Sequence, residues 1–230
     1  MPRNIKKIEK NANISYNESR MAVSLPKLLV GRLTMYIKQQ KQIKSFLSES
    51  FGADKGGELF EKQEKILDAL IKNTKNKTKN QMKMLTQTIL PRIALYKALP
   101  KNDLSEEDVY KYMRKYMLDK VAAKKHSSTA KMELVPGFYS IYSNTFLKIM
   151  RTTDLQESVQ SHGKDYFDVT IKKCLWHTAC VENECAELCR LFCDVDDVTY
   201  GGLKKISFSR TKTLGYGGDC CDFHFFKIKS

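Results

Sequence analysis

The sequence predicts an α+β fold: a helical N-terminal layer of about five helices packed on a small, mainly antiparallel sheet with one further helix. Three observations carry this. Between Leu25 and Met150 apolar residues recur three and four positions apart, the period of a helix with one buried face. From Tyr166 the period changes to two. Near the C-terminus the strand-like runs KISFSRTKTL and CCDFHFFKI are separated by GYGGD, the outline of a β-hairpin. The organisation expected is a polar tail over residues 1–24 and a single domain over 25–230. Its helical part covers 25–150 and its sheet part, which carries the site, covers 160–230.

In the first helical stretch Leu29, Leu33, Tyr36, Ile37, Ile43, Phe46 and Leu47 keep helical spacing until Gly52 ends it. A second helix follows in GELFEKQEKILDALIKN, with Leu59, Phe60, Ile66, Leu67 and Leu70 near one face. A Lys- and Asn-rich link leads to a third helix carrying Met82, Leu85, Ile89, Ile93, Tyr96 and Leu99. Pro91 inside it predicts a kink or a restart, because proline lacks the amide proton that the helix needs. The fourth helix has the clearest start: Ser105 as N-cap, Asp108 three residues on, and Leu104 and Val109 as a hydrophobic staple. Pro136-Gly137 punctuates the chain before a fifth helix in GFYSIYSNTFLKIM. Phe167, Val169 and Ile171 then alternate with polar residues, which predicts a strand with one buried face. WHTACVENECAELCRLF reads as a helix, and strands around Ile206–Thr213 and Cys221–Ile228 complete a strand-helix-strand-strand order.

With 42% hydrophobic and 29% charged residues over 230 positions, the chain has the composition of a globular protein that buries a sizeable core. The net charge of +14 raises the question of nucleic acid. The lysines, however, are spread along solvent-facing helical positions, and the densest run, residues 72–83, is Asn- and Thr-rich like a solvated loop. No nucleic-acid partner is expected, and the absence of a long apolar run leads to no expectation of a membrane partner. The seven cysteines are an odd number, all at or after Cys174. With no signal-peptide pattern, they point to free thiols and a cytoplasmic location.

The chemistry-bearing residues concentrate between Cys193 and Phe223. Cys185, Cys189 and Cys193 fall at four-residue steps along one expected helix, a spacing that zinc ligands use. The preferred reading of Cys185 and Cys189 is that of small buried hydrophobes. Cys193 differs in lying at the expected helix end, beside Asp194, Asp196 and Asp197. Arg210, on a strand of small and apolar residues, needs an anionic partner if buried. That partner is either a ligand carboxylate, which a guanidinium grips through two hydrogen bonds, or Asp196 or Asp222. Cys221 and Asp222 are adjacent on a strand and so point to opposite faces. A base for Cys221 has to come from elsewhere, with Asp196 and His177 as candidates.

The pattern CDVDD followed by FSRTKTLGYGGDCCDF resembles the L-2-amino-thiazoline-4-carboxylic acid hydrolase family, specifically over Phe167–Phe226 and by general character upstream, where LPRIALYKAL fits. The resemblance implies a helical N-terminal part followed by an arginine strand, a glycine turn and a C-D-F strand. It implies a hydrolase that opens a cyclic amidine-like ring to a carbamoyl-cysteine, with a small-molecule carboxylate as substrate. In that scheme Arg210 holds the carboxylate, Cys221 or Cys193 attacks, and Asp196 and Asp222 manage protons. Gly217 and Gly218 line the pocket, and no metal or other cofactor is required. The alternative is a non-catalytic ligand-binding module, since the same ending is similar to vinyl-reductase-type small-molecule-binding domains. A zinc-stabilised interaction domain ranks third.

Overall fold

The computed structural model describes residues 27–100 and 103–229, with side chains described from Lys38 onward. The tail expected over 1–24, and the side chains of Leu29, Leu33, Tyr36 and Ile37, lie outside the described residues. Helix α1 (Lys27–Phe51) ends where Gly52 takes a positive φ of 84°, and α2 (Ala53–Asn73) folds straight back on it. The two approach so closely at Gly56 that an added Cβ would sit 2.7 Å from the Leu47 carbonyl oxygen. Gln40 and Gln63 close the buried seam by donating to each other's amide oxygens at 3.0 and 3.3 Å, as buried polar groups must.

Helix α3 (Lys79–Met84) starts at a capping box formed by Thr78 and Gln81. It passes through a π-helical turn, Leu85–Ile89, into α4 (Leu90–Ala98). Pro91 therefore sits in the first turn of a restarted helix, where its missing amide costs nothing. Ser105 caps α5 (Glu106–Arg114) by accepting from the Asp108 amide at 3.1 Å, and Leu104 and Val109 both pack into the helical core. A second π-helical segment, Lys115–Ala122, leads into α6 (Ala123–Met132). After Gly137, again at positive φ, α7 (Phe138–Thr152) completes the helical part.

The sheet begins earlier than expected. Strand β1 (Gln156–His162) precedes β2 (Tyr166–Cys174), β3 (Ile206–Ser209) and β4 (Cys221–Lys227), and the four are antiparallel in the order β1-β2-β4-β3. β1 escaped the sequence pattern because QESVQSH has one apolar residue, Val159, which is exposed on this edge strand. The helix expected over 177–192 is in fact broken. Helix α8 (Leu175–Glu182) stops at Asn183, Glu184 adopts φ 53°, and a 3₁₀ turn (Ala186–Leu188) leads into α9 (Cys189–Tyr200). Cys185 thus precedes α9 and shares no helix face with Cys189 and Cys193, and CDVDD is helical.

Two hydrophobic cores result. One joins α1, α2, α4, α5 and the second π segment to α8 and α9; the other joins α7 to the inner face of the sheet. Phe225 is the centre of the second. It is fully buried, stacks on Phe167 at 4.5 Å, and touches Phe208, Phe146 and Tyr200. Phe225→Ala leaves a cavity that this aromatic cluster cannot close. It is expected to lower unfolding free energy in denaturant titration by about 3–5 kcal/mol.

Candidate functional site

A cavity of about 270 Å³ opens where the two cores meet, at the lower end of the roughly 300–1,000 Å³ typical of small-ligand pockets. Helix α9 forms its principal wall. Cys189, Phe192, Cys193, Asp196 and Tyr200 line it at steps of three and four, one helix face. α7 supplies Phe146 and Met150, the sheet Ile171, Cys221 and Phe223, and the helical core Arg92 and Lys125. His177, Trp176 and Cys174 close another side.

The connection between β3 and β4 completes the wall by clamping onto α9. Arg210 pairs with Asp197 and lies 3.9 Å from Asp194. Tyr216 donates its hydroxyl to Asp194 at 2.8 Å, and the Arg190 guanidinium lies over the Tyr216 ring. Asp194 and Asp197, one helical turn apart, thus anchor the connection on the flank of α9 next to Cys193. Between the anchors Gly215 rests on the helix: an added Cβ would sit 2.9 Å from Cys193 Sγ and 3.0 Å from the Cys189 carbonyl oxygen. Thr213 caps the turn by accepting from the Tyr216 amide, and Gly217 closes it at φ 82°, a conformation that glycine adopts at least cost. The Leu214 amide donates to Cys221 Sγ at 3.3 Å.

This packing surrounds Cys193 with donors. The thiols of Cys189 and Cys221, the Thr213 hydroxyl and the charge of Arg210 lie where each favours its ionised form. These neighbours, led by Cys189, hold the Cys193 thiol well below its ordinary pKa against the opposing effect of burial. Cys221, which shares its proton toward Cys193 and is buried, is pushed up. Of the pair, Cys193 is the one whose ionised form is favoured. Asp196 is held the other way: enclosure by protein raises its carboxyl to about 7, with Lys125 pulling against the shift.

The expected site is therefore assembled in part. Cys193, Asp196 and Cys221 face one cavity, with His177 beside them. Arg210 does not line it; its side chain is 9% exposed and turned to Asp197, not to Asp196 or Asp222 as the sequence suggested. Asp222 points to the opposite face of the sheet, as alternation along β4 requires. There it accepts from the amides of Thr211 at 3.0 Å and Lys212 at 2.8 Å, and from the Thr211 hydroxyl. Those bonds depress its pKa against burial and make it a brace of the loop. Gly217 and Gly218 shape the turn while Gly215 is the glycine at the cavity. All seven cysteines are free, and among the described residues no three His, Cys, Asp or Glu side chains converge as metal ligands. No helix among the described residues is long and apolar enough to cross a membrane.

Sequence reasoning missed Arg92 and Lys125. Arg92 had a signal: it is the single charge in LPRIAL, a run whose every member is buried. Lys125 had none.

Fold and cavity together define an α+β protein with an enclosed cysteine–aspartate site between a helical core and a four-stranded sheet. A family model described as L-2-amino-thiazoline-4-carboxylic acid hydrolase matches residues 81–225, and the chain belongs to that family. The match spans every residue that lines the cavity. None of the curated proteins matches the chain. Among solved structures, the crystal structure of Fe(II) unliganded H-NOX protein from K. algicida is similar over 84% of this chain and 96% of that one, at 10% identity and a TM-score of 0.29, and at that level carries no argument.

At pH 6 iodoacetamide is expected to alkylate one cysteine rapidly, mapped by peptide mass spectrometry to Cys193. Cys193→Ser should remove the fast phase and Arg210→Gln should slow it. A fast phase surviving in Cys193→Ser would assign the thiolate to another residue.

Proposed function

We propose that this protein is a hydrolase that opens a small cyclic amidine of the 2-amino-thiazoline carboxylate type through covalent attack by Cys193. The observation that carries this reading is the pairing of a thiol held low with a carboxyl held high on one cavity wall, at Cys193 and Asp196. Titratable groups pushed apart in this way suit nucleophile and acid–base roles near neutral pH. Family membership supports the reaction class.

In this reading the Cys193 thiolate attacks the ring carbon between sulfur and nitrogen. The bond from that carbon to the ring sulfur breaks, and the departing sulfur takes the proton of Asp196. The product half is then held on Cys193 as an isothiourea. Water attacks the same carbon as its proton passes to the Asp196 carboxylate, the bond to Cys193 breaks, and a carbamoyl-cysteine leaves with the thiolate restored. One water is consumed, and Asp196 is acid in the first half and base in the second. Cys221 and Thr213 donate to the resting thiolate, and Arg210 steadies it from behind. Arg210 acts on the nucleophile and not on the ligand, Asp222 holds the loop, and no cofactor enters. The free thiols support a reducing compartment, the cytoplasm, as the site of action. The dispersed lysines support a small molecule rather than nucleic acid as ligand.

The test is turnover of 2-amino-thiazoline-4-carboxylate by purified protein, with Cys193→Ser inactive and Cys221→Ser slowed but active. Because the first half needs Asp196 protonated while Cys193 is already ionised, kcat/KM is expected to fall as pH rises through about 7. Asp196→Asn should lower the rate and abolish that limb. Ligand binding without turnover under every condition would leave a non-catalytic binding module.

A further inference from the structure

Arg92 is 7% exposed, and among the described residues no carboxylate lies within ion-pair distance of it. Its guanidinium lies over the Phe192 ring at 5.7 Å and near the Tyr116 hydroxyl, while Nε has no partner. Burial pushes it below the ordinary guanidinium value, although it stays charged. An enclosed cation without a counter-charge is costly, and breaking such pairs typically costs several kcal/mol. Folds retain one where something outside the chain completes it.

The local backbone is also unusual. Arg92 follows the π-helical turn Leu85–Ile89, and its partner Tyr116 lies in the π-helical segment Lys115–Ala122. Such distortions are frequent at functional sites. Arg92, Lys125, Asp196 and Tyr200 line both the thiol cavity and an adjoining cleft of about 460 Å³, which adds Lys124 and the hydroxyls of Ser128 and Thr129. The wall between the two spaces thus carries two cations against the single carboxyl of Asp196.

We propose that Arg92, with Lys125 beside it, is the subsite for the carboxylate of the ligand whose reactive carbon meets Cys193. The assignment rests on the hydrolase reading for the identity of the reactive end only. The anion requirement stands on the unpaired guanidinium. The ligand class is a small carboxylate that enters past Lys124 and Lys125 and supplies the counter-charge that the described residues do not. Arg92 offers it the free Nε–H, and Lys125 a mobile ammonium.

Calorimetry on the intact protein with a saturated thiazolidine carboxylate and its neutral carboxamide tests this directly. Wild type is expected to prefer the carboxylate by about tenfold to hundredfold, the worth of one charge-assisted hydrogen bond. Arg92→Met should erase the preference while leaving carboxamide binding unchanged. Its ligand-free Tm should hold or rise, since a merely structural arginine would lower it on removal. Arg92→Lys and Lys125→Met should each reduce the preference in part, and they carry the test if Arg92→Met fails to fold. A wild type without the preference, or a preference unchanged in these variants, overturns the subsite. Turnover of the aminothiazoline substrate, measured in parallel, separates the two ideas. An Arg92-dependent preference without turnover sinks the hydrolase alone, and turnover with an unaltered preference in the variants sinks the subsite alone.

Discussion

The close seating of Gly215 on α9 is the contact on which the rest of the site depends. The two cores meet along α9, whose Cys189, Phe192 and Val195 belong to the helical core while its Tyr200, with Leu214 and Cys221, belongs to the sheet core. Any side chain at position 215 would collide with Cys193 Sγ and the Cys189 carbonyl. Either the Cys193 thiol would turn away or the hairpin connection would lift from the helix. Lifting it would separate Cys221 and Thr213 from Cys193 and draw Arg210 away, so the contacts that favour the thiolate exist only because the backbone approaches this closely. The anchors on the adjoining flank of α9, Asp197 to Arg210 and Asp194 to Tyr216, hold the loop in that approach. Asp222 holds its root from beneath.

Charge is distributed so that each arginine has a separate task. Arg210 is close to the thiolate yet held by helix carboxylates, so its charge biases Cys193 without blocking the cavity. Arg92 has no such partner among the described residues, and its buried Nε is without a hydrogen bond, as the proposed carboxylate subsite requires. Asp196 lies between these two influences. Enclosure favours its neutral form, Lys125 favours its anion, and the near balance at about 7 is what the proposed acid and base roles require.

The helical layers were legible because buried faces impose a period: Leu59, Leu67, Ile89, Ile93, Val109 and Met113 are all buried as their spacing required. Ser105 was legible because a cap has a local sequence cost and a local signature. β1 was not, since an exposed edge strand needs no apolar alternation. Cys193, Asp196 and Cys221 were placed in one site from their position around the glycine turn, and the cavity contains all three. The roles of Arg210 and Asp222 were hidden by the extension of α9 through CDVDD, which turned Asp194 and Asp197 toward the loop. Had that stretch been read as helix, the i, i+4, i+7, i+11 spacing of Cys189, Cys193, Asp196 and Tyr200 would have displayed the cavity wall. Arg92 was obscured because a single charge in an apolar helix is compatible with many tertiary settings, and only the fold shows that no carboxylate among the described residues reaches it.

The central claim is that Cys193 is the nucleophile. Loss of the acid slows departure of the ring sulfur, a leaving group with an ordinary thiol pKa of about 8.5, but hydrolysis of an isothiourea by water depends on a base still more. In Asp196→Asn the second half-reaction should therefore stall more than the first. Intact-protein mass spectrometry after one turnover of 2-amino-thiazoline-4-carboxylate by that variant should find the protein heavier by one substrate molecule, with the added mass on the Cys193 peptide. An adduct on Cys221, or product release from Cys193→Ser at the wild-type rate, would contradict it.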